Sequence, residues 1–150
     1  MVKYLTPQGL EKFKKELDFL ENVKRKEVSE RLRQTASQGD LKENAGYHAA
    51  KEQQGFVEGR IKELKEILSQ AKIIEKGGGD KVQIGSLVCL ESDEGEKTFQ
   101  LVGPEEADIL NGKISFKSPL GEAILKKKKG DVVEVDTPEG KKKYEIVEIK

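Results

Sequence analysis

The apolar positions change their spacing once along the chain. From Gln8 to Ile74 there is no proline, and apolar residues recur every three or four positions, as on one face of an α-helix. From Val82 onward, short β-branched segments alternate with Gly, Pro, Asp and Glu, which is typical of strands joined by turns. The pattern predicts a two-domain α+β protein, with a helical N-terminal domain and a small β-rich C-terminal domain.

The helical domain contains two apolar stripes that can face each other. Thr6 and Pro7 predict a capped start for the first helix. The first stripe comprises Leu10, Phe13, Leu17 and Leu20, and the second comprises Phe56 or Val57, Ile61, Leu64, Leu68 and Ala71. Between the stripes lies Ser37-Gln38-Gly39-Asp40, where glycine can adopt the left-handed conformation that ends a helix. We therefore expect a long antiparallel coiled-coil hairpin over residues 1–76, with its reversal near residues 40 and 41.

Three consecutive glycines at residues 77–79 predict a flexible hinge over residues 77–81. The C-terminal domain then occupies residues 82–150. Strands are expected at residues 87–91, 98–102, 113–117, 132–136 and 144–149. We expect them to form an antiparallel sheet with one short helix, which begins at Pro119 after a Ser118 cap.

Composition and charge narrow the functional classes. The chain has 150 residues, of which 35% are hydrophobic and 37% charged, and Lys plus Arg equals Asp plus Glu at 28 each. A uniformly basic surface for nucleic acid or membranes is thereby excluded, so recognition by charge must be local. The single cysteine, Cys89, cannot form an internal disulfide, and no apolar segment approaches the roughly 20 residues that span a bilayer. These features predict a cytoplasmic protein with no membrane partner.

Two acids lie at the predicted reversal, and they have two interpretations. Asp40 can cap the returning helix, with Glu43 as the acid of a capping box. Alternatively, both carboxylates project together and contribute to a magnesium site. Magnesium is commonly held by one or two carboxylates together with phosphates and water, so a partner would have to supply the remaining ligands.

The residues around this reversal resemble the signature of the Gre transcript cleavage factors. The resemblance is carried by Gly-Asp-Leu-Lys-Glu-Asn-Ala at residues 39–45, and by residues 47–56 and 58–61. It extends to residues 16–20 in the first helix and to residues 118–121 and 130–133 in the second domain. A match of this length over nearly the whole chain is highly specific.

The resemblance implies a transcription elongation factor that inserts its hairpin into the secondary channel of bacterial RNA polymerase. There it stimulates magnesium-dependent cleavage of backtracked RNA by the polymerase and so rescues arrested complexes. Asp40 and Glu43 are implied to help hold the second catalytic Mg²⁺, which is shared with the polymerase, so the chain alone binds no cofactor and is not an enzyme. The C-terminal domain is implied to be FKBP-like and to grip a coiled coil at the channel rim through Lys117, Ser118 and Pro119.

A local basic patch on the first helix also has two interpretations. The patch comprises Lys24, Arg25, Lys26, Arg31 and Arg33, and Lys51 and Arg60 add to it from the second helix. It contacts RNA phosphates or channel walls, or it is a solvated face that pairs with the interleaved acids. Because the family's hairpin contacts the 3′ segment of the RNA, we extend that role to Arg33 and Lys51. Tyr47 either stacks on a base or packs on the other arm.

Several alternatives remain open from the sequence. One alternative is a channel-binding paralogue that inhibits cleavage, but such relatives carry extra acids at the tip, and this tip has two. Another is a prolyl isomerase or chaperone. An isomerase would need a pocket lined by aromatic rings, and the C-terminal domain has only Phe99, Phe116 and Tyr144. Relatives usually carry a larger residue at Gly46, so a looser tip is expected at a cost of ~1 kcal/mol. His48 is expected to be a surface or seam residue, not a metal ligand. Because the hairpin covers its own apolar stripe, we expect a monomer.

Overall fold

The computed structural model describes residues 2–39, 42–74 and 79–150. Its contacts divide the chain into two compact units. The first, Leu10–Ala71, is called the hairpin unit below. The second combines Met1–Gly9 with Lys72–Lys150 and is called the sheet unit.

Two antiparallel helical arms form the hairpin unit. The first arm comprises α1 (Pro7–Phe19), a π-helical turn (Leu20–Lys24) and α2 (Arg25–Ala36), and the second arm is α3 (Ala45–Ser69). Hydrogen bonds join the arms in antiparallel order, from Arg25 to Glu58 and from Arg31 to Gln53. The predicted helical hairpin is therefore confirmed.

The π-helical turn explains a slip in the apolar pattern of the first arm. Leu20 and Val28 both pack with Val57 and Ile61, although they are eight positions apart. Two α-helical turns span about seven residues, and a π turn accommodates one more. As a result, Val28 is buried although it lies one position beyond residue 27, where a strict alternation of four and three residues would continue from Leu20.

The second arm settles which residues face inward. Val57 is 6% exposed, whereas Phe56 is 72% exposed, so Val57 is the stripe residue. Ile67 is buried in place of the predicted Leu68, which is half-buried. The remaining buried residues of this arm are Ala50, Ile61 and Leu64.

A five-stranded sheet with one helix dominates the sheet unit. Its strands are β3 (Leu87–Ser92), β4 (Gly95–Val102), β5 (Lys113–Ser115), β6 (Val132–Thr137) and β7 (Gly140–Ile149), in the spatial order β5-β4-β3-β7-β6. Two short strands, β1 (Lys3–Leu5) and β2 (Ala71–Ile73), form a separate two-stranded sheet. The helix α4 (Pro119–Ile124) begins after Ser118, whose Oγ accepts a hydrogen bond from Gly121 N at 3.1 Å, as predicted.

The expectation of a wholly antiparallel sheet is wrong at one edge. β5 pairs parallel to β4, with Gln100 opposite Lys113, whereas the other pairs in this sheet are antiparallel. The reason is the connection from residue 103 to residue 112, which contains two 3₁₀ turns (Pro104–Glu106 and Ile109–Asn111). Parallel neighbours require such a crossover, since a tight hairpin joins only antiparallel strands.

An apolar core lies between the sheet and α4. It comprises Val82, Val88, Leu90, Leu101, Ile114, Ile124, Val133 and Ile146. Phe99, Phe116 and Tyr144 pack against this cluster. Gly121 has no room for a side chain, because an added Cβ would lie 2.0 Å from the carbonyl oxygen of Ser115.

The N-terminal residues belong to the sheet unit through a buried carboxylate. Glu106, 9% exposed, accepts hydrogen bonds from Thr6 N at 2.7 Å and from Thr6 Oγ1 at 2.5 Å. Thr6 Oγ1 in turn accepts from Gly9 N at 3.0 Å, which confirms the predicted cap of α1. Lys3 forms an ion pair with Glu105 at 2.9 Å.

These contacts divide the chain differently from the predicted boundaries. The prediction assigned residues 1–76 to the hairpin, whereas residues 1–9 and 72–74 group with residues 79–150. The predicted hinge, 77–81, includes residues 77 and 78, which lie outside the described residues, so the hinge stays a prediction. Across the described ranges, none of the helices combines the length and apolar character needed to cross a bilayer.

Candidate functional site

The turn between the two arms places Glu43 in solvent. We call its described residues, 37–39 and 42–44, the tip. α2 ends at Ala36, and Gly39 has a φ of +139°, a conformation that favours glycine. Glu43 is exposed, and its carboxylate has no hydrogen bond or ion pair with another residue that the structure describes. Asp40, the other predicted metal ligand, lies outside the described residues.

The returning helix is capped by Asn44, whereas the capping interpretation of the sequence had assigned this role to Asp40. Asn44 Oδ1 accepts a hydrogen bond from Tyr47 N at 3.0 Å. The capping-box interpretation is therefore wrong for Glu43, because Glu43 precedes the cap and lies outside the first helical turn. Its carboxylate remains available to a partner.

Two further contacts close the tip. Asn44 Nδ2 donates to the carbonyl oxygen of Thr35 at 2.5 Å, which joins the second arm to the end of the first. A hydrogen bond of 3.2 Å links His48 Nε2 and the carbonyl oxygen of Lys42. His48 is exposed, as the surface interpretation expected.

Gly46 lies against the first arm at this point. A Cβ added there would be 3.3 Å from Thr35 Cγ2, a tight contact. Glycine at this position thus allows close approach of the arms, while it lacks the helix propensity of alanine. The expected looseness of the tip stays a prediction.

Tyr47 and Lys51 lie on the first turns of α3. The Tyr47 ring meets the His48 ring edge to face, with their centroids 5.9 Å apart. Lys51 Nζ lies 5.9 Å from the Tyr47 ring centroid, at a distance where cation and ring attract each other. Both contacts are between residues of α3. Tyr47 and Lys51 therefore form one surface next to the tip, which combines an aromatic ring with a positive charge.

Acids neutralise part of the predicted basic patch. Arg33 pairs with Glu30 at 2.6 Å on its own helix, and Arg25 pairs with Glu58 of the other arm at 2.9 Å. The Glu58 hydrogen bond raises the pKa of Arg25 above its ordinary value. The solvated, paired interpretation describes these two arginines well, and an RNA contact through Arg33 stays a prediction.

A half-buried ion pair ties the arms together further from the tip. Arg60 donates to both carboxylate oxygens of Glu16, at 2.6 and 2.9 Å. This hydrogen bonding holds the pKa of Glu16 below its ordinary value of 4.5 and raises that of Arg60. Arg60 therefore connects the arms, in addition to any contribution to the basic patch.

The predicted polymerase-binding residues lie in the sheet unit, in the loop before α4. Lys117 and Pro119 are exposed, whereas Ser118 is partly buried. Ser118 Oγ donates to the carbonyl oxygen of Ser115 at 2.6 Å in addition to capping α4. The loop thus has a fixed backbone with a lysine and a proline in solvent.

The described residues can supply part of a metal site but do not form a complete one. In ranges 2–39, 42–74 and 79–150, His, Cys, Asp and Glu form no group of three or more that could hold an ion. Glu43 offers one unpaired carboxylate in solvent. Such an oxygen donor fits a magnesium site whose remaining ligands come from elsewhere.

The fold and the site describe an α+β protein that displays a carboxylate at the turn of a helical hairpin. Two family models match the chain, and both are models of transcription elongation factors. Residues 3–73 match the model of the N-terminal region of the transcription elongation factor (GreA_GreB_N), and residues 76–150 match the C-terminal GreA/GreB model. The chain belongs to the GreA/GreB family, as the resemblance in the sequence predicted.

Individual relatives agree with the family models. The chain is 44% identical to transcription elongation factor GreA of Rickettsia felis, over 97% of this chain and 92% of the relative. It is 49% identical to GreA of Thioalkalivibrio sulfidiphilus, over 97% and 96%. Among solved structures, it is similar to GreA factor homolog 1 (Gfh1) of Thermus thermophilus at 35% identity, with a TM-score of 0.47 and coverage of 100% and 99%.

Proposed function

We propose that this protein inserts its hairpin into the secondary channel of RNA polymerase and stimulates cleavage of backtracked RNA by the polymerase. The observation that carries the proposal is the Glu43 carboxylate, which is exposed at the turn and has no partner among the described residues. Family membership supplies the partner, because both halves of the chain match transcription elongation factors. The reaction belongs to the polymerase, and this chain contributes ligands to it.

Glu43, together with Asp40, would donate carboxylate oxygens to the second Mg²⁺ of the polymerase. When bound, the ion would stabilise the phosphodiester's developing charge and promote ionisation of the attacking water. The chain's own part is to hold the oxygens in place. Glu43 is exposed at the turn, and the hairpin backbone supports it from both arms.

The sheet unit is proposed to bind the polymerase at the channel rim. In the FKBP-like arrangement implied by the resemblance, the contact is the loop with Lys117, Ser118 and Pro119. Support comes from the loop itself, since Lys117 and Pro119 face solvent while Ser118 fixes the backbone. Arg33, Lys51 and Tyr47 are proposed to contact the RNA 3′ end or the channel.

Prolyl isomerase activity is the less favoured alternative. Phe99, Phe116 and Tyr144 pack against the core of the sheet unit. A cleft of about 410 Å³ in this unit is lined by Thr6, Pro7, Gln8, Ile74, Gly85, Leu87, Gln100 and Lys150, none of them aromatic. An isomerase assay with a proline-containing peptide would separate the two functions, and rapid isomerisation would favour the enzyme.

The proposal is tested with a purified, backtracked polymerase complex, the full-length protein and Mg²⁺. Wild-type protein is expected to accelerate release of short 3′ RNA fragments. Glu43→Gln keeps the side-chain shape and removes the charge, so it is expected to reduce stimulated cleavage by about 100-fold, the effect of losing a transition-state charge contact. Binding to the polymerase, measured by competition with labelled wild-type protein, should change little.

Glu52→Gln is the matched control, since Glu52 is an exposed acid on α3. It should stimulate cleavage as wild-type protein does. If Glu43→Gln stimulates cleavage as wild type does, Glu43 is not a metal ligand. If adding wild-type protein slows cleavage, the protein is an inhibitory paralogue instead. Sedimentation would test whether the protein is a monomer, as expected. We propose that it acts in the cytoplasm, together with the polymerase.

A further inference from the structure

Both neighbours of Glu43 in the sequence are fixed by hydrogen bonds. On one side, the Lys42 carbonyl oxygen is bound by His48 Nε2 at 3.2 Å. On the other side, the Asn44 side chain accepts from Tyr47 N at 3.0 Å and donates to the Thr35 carbonyl at 2.5 Å. The backbone is therefore anchored immediately before and after Glu43.

The Glu43 side chain has no such anchor of its own among the described residues. Its location is therefore set by the backbone that carries it. We propose that Asn44 and His48 are positioning residues, which hold the backbone of residues 42–44 so that the Glu43 carboxylate reaches the polymerase metal. This inference rests on the proposed function.

The Asn44 contact does more than cap a helix. The Thr35 carbonyl belongs to the last turn of α2 and also accepts a hydrogen bond from Gln38 N at 3.1 Å. Thr35 is itself held, because its Oγ1 donates to the Arg31 carbonyl at 2.8 Å. Asn44 Nδ2 therefore joins the end of one arm to the start of the other, which a cap alone does not require.

The His48 contact requires a proton on Nε2. A carbonyl oxygen accepts hydrogen bonds only, so the ring nitrogen must be the donor. The edge contact between the Tyr47 and His48 rings helps to orient the imidazole. Phenylalanine would keep this ring contact and lose the donor, whereas glutamine carries an amide N–H that can replace it.

The hydrogen bonds of Asn44 and His48 matter because the rate of a metal-assisted reaction depends on the position of each metal ligand, here Glu43. A displacement of about 1 Å can reduce a rate by about 100-fold. Ligands on turns are also held less rigidly than ligands within helices or strands. The structure provides hydrogen bonds that restrain this turn, through Asn44, which caps α3, and through His48, which lies on α3.

The experiment uses the full-length protein with Asn44→Ser, His48→Phe and His48→Gln. Serine is a good N-cap, so Asn44→Ser preserves the start of α3 but is too short to reach Thr35. Asn44→Ser and His48→Phe are expected to reduce the cleavage rate at saturating factor by about 10- to 100-fold. Polymerase affinity should stay within about twofold, and His48→Gln should restore most of the rate lost in His48→Phe.

A second measurement does not depend on cleavage. In the free protein, ¹⁵N relaxation should show increased motion of residues 42–44 in Asn44→Ser and His48→Phe, and near-wild-type motion in His48→Gln. A tip that becomes mobile while cleavage stays normal would overturn the inference. So would unchanged motion and unchanged cleavage, or equal loss of affinity and rate, which would indicate general structural damage.

Failure of the inference can be distinguished from failure of the proposed function. If Glu43→Gln abolishes stimulation while Asn44→Ser and His48→Phe do not affect it, only the positioning role is wrong. If Glu43→Gln has no effect, the proposed function itself is wrong, whatever the relaxation data show. A loss in His48→Phe that His48→Gln fails to recover would contradict the role assigned to the donated N–H.

Discussion

The hairpin unit and the sheet unit are stabilised in different ways. The hairpin unit buries a narrow row of side chains, centred on Val28, Val57 and Ile61, and joins its arms with ion pairs near the surface. The sheet unit encloses a larger apolar core and buries the Glu106 carboxylate against Thr6. A structure built like the hairpin leaves most of its side chains in solvent, where a partner can contact them.

This difference separates stability from function. Substitutions in the buried core of the sheet unit should act mainly on folding. In the hairpin unit, substitutions near the tip should act mainly on cleavage, and those between the arms on stability. The following substitutions test the comparison.

Glu106→Ala is expected to have the largest effect on stability. Removing the carboxylate leaves the backbone N–H and the hydroxyl of Thr6 buried without a partner, so we expect a loss of about 3 kcal/mol in the free energy of unfolding. Denaturant unfolding measures this loss. Glu122→Ala, at an exposed position of α4, is the control and should be close to neutral. Equal effects of both substitutions would show that the buried contact with Thr6 is unimportant.

Val57→Ala tests the narrow row of the hairpin. Val57 is 6% exposed, and its truncation should cost about 2 kcal/mol through lost burial and a cavity. Phe56→Ala, at the adjacent position with 72% exposure, should change stability by less than about 0.5 kcal/mol. Thermal unfolding followed by helical circular dichroism compares the two. A larger effect of Phe56→Ala would mean that the register of α3 is wrong.

Glu16→Gln tests the ion pair between the arms and its dependence on pH. Arg60 holds the pKa of Glu16 below 4.5, so the pair stabilises the folded protein above that pH and loses its contribution as the pH falls through the lowered pKa. We expect Glu16→Gln to cost about 1 kcal/mol at pH 7, since the pair is partly solvated. The difference from wild type should shrink below pH 4.5, and a difference that stays constant down to pH 2 would contradict the assignment.

Gly46→Ala should have the smallest effect. A gain of about 1 kcal/mol in helix propensity opposes the 3.3 Å contact with Thr35 Cγ2, so the net change should be below about 0.5 kcal/mol. In a Thr35→Ser background the methyl group is absent, and the same substitution should become stabilising. A double-mutant cycle measures this coupling. Equal effects in both backgrounds would show that the contact does not matter.

Local signals in the sequence predicted the elements well. Thr6 and Ser118 cap α1 and α4, and Gly39 has the positive φ that its place at the turn suggested. Each of these depends on residues a few positions apart. The eight-residue spacing from Leu20 to Val28 was also visible in the sequence, and the π-helical turn between them accounts for it.

Contacts between distant residues were not predictable in this way. The Glu106 bond to Thr6 joins residues 100 positions apart. The parallel pairing of β5 depends on the path of the whole connection from residue 103 to residue 112.

At the tip, the sequence was insufficient even for residues that are close together in the chain. Asp40 and Asn44 are both good capping residues, and the local sequence does not choose between them. The structure gives the role to Asn44, which also contacts the Thr35 carbonyl in the other arm. The position of Glu43 outside the helix follows from that choice.

The Mg²⁺ dependence of cleavage distinguishes a metal ligand from any other role of the Glu43 carboxylate. RNA cleavage in the backtracked complex is measured over a range of Mg²⁺ concentrations, with saturating wild-type protein, Glu43→Gln or Glu52→Gln. If Glu43 is a metal ligand, Glu43→Gln should raise the Mg²⁺ concentration for half-maximal cleavage by about tenfold or more, since even outer-shell partners have effects of that size. Glu52→Gln should match wild type. The same half-maximal concentration for Glu43→Gln and wild type would contradict the claim that this carboxylate completes the metal site.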